Sequence, residues 1–152
     1  MDNKLYIKIG KFIASHKVLY YILNYTWGIL GTIIGWLVFL SLKIFRKIKP
    51  AYCKHYKFNR LVKDWGYSFS IGTVVVCGWS PEIDILQHEI GHTIQNAMFG
   101  PLTIFIVYIP SAIRCQWRSH QEAKGKKLKT EYDDIWFEGS ATYLGQYFNL
   151  GE

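Results

Sequence analysis

The sequence predicts a mixed α+β protein: a transmembrane helix near the N-terminus, then a compact domain with two site-bearing helices and a short sheet. Three observations carry this expectation. Residues 18–42 run for 25 positions without a charged side chain. Residues 67–78 concentrate β-branched and aromatic side chains between Gly66 and Gly78, the composition of a strand. Two later stretches, to Phe99 and from about Asp133 to Asn149, read as helices. The 152 residues divide accordingly, with an amphipathic segment and anchor over 1–45 and the compact domain over 46–152.

Bulk composition narrows the class. Half the residues are hydrophobic and 17% are aromatic, which excludes a disordered chain. The net charge of +7 comes largely from lysines and arginines that bracket the apolar run. That arrangement suits anionic lipid headgroups, and no zinc-knuckle, RNP-like or helix-turn-helix pattern accompanies it. A lipid bilayer is therefore the expected partner, and nucleic acid is not. Cys53, Cys77 and Cys115 form no CxxC pair, so neither a disulfide framework nor a cysteine zinc site is indicated.

Taken in order, Lys4, Lys8 and Lys11 share a helical face opposite Leu5, Ile9, Phe12 and Ile13, as in a helix lying on a membrane surface or a short peripheral core helix. As one helix, residues 18–42 would extend about 37 Å at ~1.5 Å per residue, enough to cross roughly 30 Å of hydrocarbon. A cleaved signal peptide would be shorter and would end in small residues, unlike SLKIFRKIKP. The flank after the run carries Lys43, Arg46, Lys47, Lys49, Lys54, Lys57 and Arg60, against Lys4, Lys8, Lys11 and Lys17 before it. This bias predicts a single-pass protein with its C-terminal domain facing the cytoplasm. Gly31 and Gly35 make a GxxxG, a helix self-association pattern.

Residues 43–63 read as a basic linker, followed by the strand. Ser80-Pro81-Glu82 is a helix start, with a capping serine, proline at the first position and acid in the first turn. Gly100-Pro101 ends that helix. Residues 101–113 are apolar but too short to span and contain Pro110, so they are either a core segment or a re-entrant piece. The run KGKKLK, 124–129, is a solvated loop.

The chemistry concentrates in QHEIGHT. His88, Glu89 and His92 form HExxH, and histidines four apart on a helix project from one face, so both imidazoles can reach one zinc ion. With His88 at 0°, His92 falls near 40° and Glu89 near 100°, while Leu86, Ile90, Ala97, Ile83 and Ile94 fall between roughly 160° and 240°. One face is apolar and the other presents the histidines. Glu89, beside the first ligand, is placed to act as a base toward water.

A catalytic zinc usually has three protein ligands. The extension HExxHxxGxxH fails, because Gln95 and Met98 occupy the glycine and histidine positions. His120 lies in a polar stretch with no evident helical face. The best candidate is Glu138 in IWFEGSATYLG, where Gly139, Ser140 and Ala141 let a second helix approach closely. Glu131, Asp133 and Asp134 are the fallback ligands. Tyr132 and Tyr143 are the nearest candidates for stabilising an oxyanion.

With HExGH, a following GPL…IPS segment and a closing W-x-E-x-x-A helix, residues 67–150 resemble the gluzincin metalloproteases, most closely small membrane-associated members. The resemblance implies a zincin-like domain, one Zn²⁺ per chain on His88, His92 and Glu138, Glu89 as general base, and a peptide or protein substrate paired with the 67–78 strand. One position departs. Many gluzincins carry aspartate four residues after the glutamate ligand to orient a histidine, and this chain has Thr142, a hydroxyl without charge. The expected function is a membrane-anchored zinc metallopeptidase. The alternative class is a non-catalytic membrane protein that binds peptide or metal in the same cleft.

Overall fold

The computed structural model describes residues 4–45, 47–53, 56–61, 67–78 and 83–148. Its elements are α1 (Leu5–Ser15), α2 (Lys17–Tyr25), α3 (Ile29–Ile44), β1 (Ile48–Cys53), β2 (Tyr56–Leu61), β3 (Phe69–Ile71), β4 (Val74–Cys77), α4 (Ile83–Phe99), α5 (Ile109–Ala123) and α6 (Trp136–Gly145). A 3₁₀ turn at Gly100–Leu102 and a π turn at Ile104–Tyr108 connect α4 to α5, and a second 3₁₀ turn, Tyr132–Asp134, precedes α6. The α+β expectation holds. The helix-start signal at 80–82 lies outside the described residues, and the last helix is shorter than expected: residues 132–134 form a 3₁₀ turn before it, and it ends at Gly145, with residues 146–148 in a turn.

The single membrane-crossing helix over 18–42 does not form. The run is two helices, α2 and α3, bent by 85°, and among the described residues no single helix is long and apolar enough to cross a membrane. The reason lies in its few polar side chains, which hydrogen-bond sideways instead of along a straight rod. Asn96 on α4 donates through Nδ2 to Asn24 Oδ1 (2.7 Å) and to the carbonyl of Gly28 (3.0 Å), and Thr32 donates to the carbonyl of Asn24 (2.8 Å). Asn24, Thr32 and Asn96 are buried, so each bond satisfies a group that would otherwise be stranded. Its GxxxG serves packing within the chain: a Cβ on Gly31 would collide with the Asn96 side chain, and one on Gly35 with the carbonyl of Ile71.

α1 follows neither sequence expectation completely. Ile7, Gly10, Ile13 and Ala14 are buried, while Leu5, Ile9 and Phe12 stay exposed, so Ile13 belongs to the core and not to the outer apolar face.

The basic linker contains a hairpin: β1 and β2 pair antiparallel from Ile48 opposite Leu61 to Cys53 opposite Tyr56. The predicted 67–78 strand is likewise a hairpin. β3 pairs antiparallel with β4, with Phe69, Ser70 and Ile71 opposite Val76, Val75 and Val74. The two-residue turn begins at Gly72, whose φ of +59° favours glycine. β2 runs parallel to β4, and the sheet order β1-β2-β4-β3 leaves β3 at an edge.

α4 is the axis of the domain. Leu86, Ile90, Ile94 and Ala97 are buried in a core shared with α1, α2 and α6, as the periodicity required, whereas Ile83 is exposed. Glu89 and His92 on the other face are buried as well, because α6 crosses α4 beside them. A Cβ on Gly91 would strike the backbone of Ala141, and one on Gly145 the backbone of Gln87. That backbone-to-backbone approach brings the residues of α6 to the HExxH face.

Candidate metal centre

α4 places His88 and His92 one turn apart, and each imidazole is fixed from behind. Gln95 donates through Nε2 to the Phe137 carbonyl (2.6 Å) and to Ser140 Oγ (2.9 Å). Its Oε1 therefore faces His92 Nδ1 at 2.7 Å and accepts that proton. Thr142 donates to Asp133 Oδ2 (2.8 Å), so its oxygen accepts from His88 Nδ1 at 2.7 Å. When Nδ1 of each ring carries the proton, Nε2 of each is left to face a ligand.

Those two atoms meet a third. His88 Nε2 lies 3.1 Å from His92 Nε2, and Glu138 Oε2 lies 3.1 Å and 3.2 Å from them. Glu138 is fully buried, and its Oε2 has no hydrogen bond of good geometry. Three acceptors at such separations repel one another unless a cation sits among them. Tetrahedral zinc with bonds of about 2.0–2.1 Å separates its ligand atoms by roughly 3.3–3.4 Å, close to the spacing found here. The donor set fits zinc in type, number and spacing.

Of the fallback ligands, Asp134 Oδ2 accepts from the Glu131 backbone N–H (2.8 Å) in a capping box, and Asp133 holds Thr142. His120 stands on α5, a helix that the polar sequence around it did not suggest. Among the described residues these side chains are not part of the convergent group, which is His88, His92 and Glu138.

Glu89 is buried beside the trio, and its Oε2 accepts a hydrogen bond from Ser70 Oγ on β3 (2.9 Å). Burial raises its proton affinity, and this outweighs the opposing pull of His92 and His88. Glu138 behaves oppositely: burial alone would raise its pKa, but when protons rather than a cation sit on the Nε2 atoms of His88 and His92, their hydrogen bonds hold it below the ordinary carboxylate range. The surroundings of the two carboxylates thus push their proton affinities in opposite directions.

A cleft of about 460 Å³ opens above these groups. Its walls are β3 with the preceding Tyr67 and Ser68 on one side, and Tyr108, Ser111, Ala112, Cys115 and Gln116 on the other. Tyr132 also lines it and donates to Glu138 Oε1 (3.2 Å). Tyr143 instead pairs with Tyr147 (3.0 Å between hydroxyls) and does not line the cleft. Tyr108 accepts from the Gly72 N–H at 2.8 Å and is a tyrosine of the site that sequence reading missed. Ser70 and Gln95 were also missed, and Asp133, expected as a fallback ligand, holds Thr142 instead. Gln95 alone carried a local signal, its position three residues after His92 on one helix face.

Compared with known proteins, the chain matches no family model, no curated protein and no solved structure.

Proposed function

We propose that the chain is a gluzincin-like zinc metallopeptidase working at a membrane. The observation that carries this reading is the convergence of His88 Nε2, His92 Nε2 and the unpaired Glu138 Oε2, with buried Glu89 beside them. Bound there, zinc would supply Lewis acidity, polarising a carbonyl and making water acidic enough to ionise near neutral pH.

The rest of the chemistry belongs to the chain. Glu89 takes a proton from the attacking water and returns it to the leaving amine, and its raised proton affinity suits a group that must hold that proton in transit. Ser70 aims the carboxylate. Gln95 and Thr142 keep both imidazoles in one tautomer and one orientation. The outer edge of β3, paired with no other strand among the described residues, offers backbone groups with which an extended peptide pairs, passing its scissile bond over Glu89.

Membrane attachment is proposed through the bent α2–α3 pair, in place of a single crossing helix. Ile33, Trp36, Leu37 and Leu40 of α3 are exposed, and Lys43, Lys47 and Lys49 follow them. Buried-sized apolar side chains left on an outer face, next to a basic flank, support a bilayer with anionic headgroups as the partner and a cytoplasmic face for the domain. The deciding experiment measures zinc stoichiometry and peptide cleavage together, for the wild type and His92→Ala. About one zinc per chain with cleavage, both lost in the variant, is expected; bound zinc with no hydrolysis of a broad peptide library in lipid would assign the site to binding alone.

A further inference from the structure

The helix that walls the cleft has two faces with different partners. Tyr108, Ser111, Ala112, Cys115 and Gln116 line the cleft. Phe105, Ile109, Ile113 and Trp117, spaced four apart, form a stripe on the outer side and are 66%, 47%, 64% and 50% exposed. α5 has 15 residues and none is buried. Polar bonds near its middle and end hold it: Arg114 to the carbonyls of Glu131 (2.9 Å) and Tyr132 (3.1 Å), Arg118 to that of Thr130 (2.8 Å), and Tyr67 to Ser119 (3.1 Å). A soluble helix of this length is ordinarily fixed by burying an apolar stripe, and here that stripe faces outward.

Charge and continuity indicate what covers it. Residues 100–113 carry no charged side chain, whereas exposed Lys124, Lys126, Lys127 and Lys129 follow the end of α5. This is an apolar segment with a basic flank, the same pattern as α3 with Lys43, Lys47 and Lys49. The two apolar surfaces adjoin. The indole of half-exposed Trp27, at the α2–α3 bend, covers Gly100, and exposed Leu102 and Phe105 continue outward from there. The cleft between α5 and the β3 edge is itself walled by Phe69, Ile71, Tyr108 and Ala112.

We propose that the outer stripe from Phe105 to Trp117 lies in the hydrocarbon of an anionic bilayer, so that the cleft between α5 and β3 takes an apolar, extended segment of a membrane-inserted polypeptide. This deepens the peptidase reading and rests on it for the chemistry, but the lipid contact and the substrate class are measurable without hydrolysis. With the outer stripe of α5 in the bilayer, the cleft lies on the other face of the same helix. The segment's apolar side chains then meet apolar walls, and its backbone meets the β3 edge, which pairs with no other strand among the described residues.

The test uses the full chain in vesicles of phosphatidylcholine and phosphatidylglycerol. A carbene reagent confined to the bilayer is activated by light, and its insertion sites are read by mass spectrometry. Label is expected on Phe105, Ile109 and Ile113 as densely as on Ile33 and Leu37 of α3. Label on α3 with none on the α5 stripe overturns the proposal and leaves membrane attachment standing; label on neither overturns both. A stripe shielded because two copies of the chain pack through it, seen as a crosslinked dimer that Ile113→Asp disperses, also overturns it. The second arm uses Glu89→Gln, which keeps the cleft but not the base. A photoreactive apolar peptide embedded in the vesicle is expected to crosslink to the cleft walls, and a soluble polar peptide to lose that crosslink. The reverse preference overturns the substrate class. If the embedded peptide crosslinks while wild type cleaves neither, the cleft assignment holds and the hydrolytic reading falls.

Discussion

His88 is joined to Asp133 through a single hydroxyl: Thr142 accepts from the imidazole at 2.7 Å and donates to the carboxylate at 2.8 Å. The hydroxyl at position 142 therefore links His88 to a carboxylate in the turn before α6, one hydrogen bond further away. Thr142→Val should weaken zinc binding by about 10–100-fold, the usual effect of losing a group that orients a histidine ligand. Asp133→Asn should cost less, because the hydroxyl remains. Adding Asp133→Asn to Thr142→Val should change little more, since the first substitution already breaks the relay. Competition titration against a zinc chelator reads all three, and additive losses would show that Asp133 acts independently of Thr142.

The ligand assignment makes a sharper distinction. His88→Ala, His92→Ala and Glu138→Ala should each strip the purified protein of zinc, measured by elemental analysis, while Asp134→Ala should retain it, because Asp134 caps a turn. Full occupancy in Glu138→Ala would mean that the trio is not the metal site.

Glu89→Gln separates enzyme from binding protein. Glutamine keeps size and the Ser70 hydrogen bond but cannot take a proton, so zinc content and melting temperature should be unchanged while cleavage falls by on the order of 10²–10⁴-fold. Equal cleavage by the variant and the wild type would rule out the proposed base.

Gly91→Ala tests the helix crossing. The added methyl meets the Ala141 backbone, which has no rotamer to yield, and overpacking of this kind typically costs about 1–3 kcal/mol. A lower melting temperature in detergent should accompany weaker zinc retention, because Glu138 rides on the displaced helix. An undisturbed melting curve with normal zinc content would show that α4 and α6 do not cross at this point.

The exposed apolar faces of α3 and α5 should keep the full chain in the membrane fraction through high-salt and carbonate washes and require detergent for release. Recovery as a soluble monomer without detergent would exclude bilayer attachment.

What the sequence by itself determined is what depends on near neighbours along the chain. Helical periodicity alone puts His88 and His92 on one face and Leu86, Ile90 and Ile94 on the other, because both relations span little more than two turns. The uncharged stretch 18–42 was legible as apolar for the same reason, whereas its GxxxG, read as a self-association pattern, packs within the chain against Asn96 and Ile71. The tertiary structure decided everything that required distant partners. The bend at residues 26–28 is held by Asn96, 72 positions from Asn24, so hydropathy alone reads the run as one rod. The two hairpins depend on pairing, and the charged β1–β2 stretch lacks the alternation that would announce it. Glu138 could be ranked among the acids by its small neighbours, but only the contact of Gly91 with Ala141 brings its Oε2 to both imidazoles. The link from Thr142 to Asp133 had no sequence signal at all: hydrogen bonds between a helix and a turn depend on where packing sets them, and no spacing rule encodes that distance.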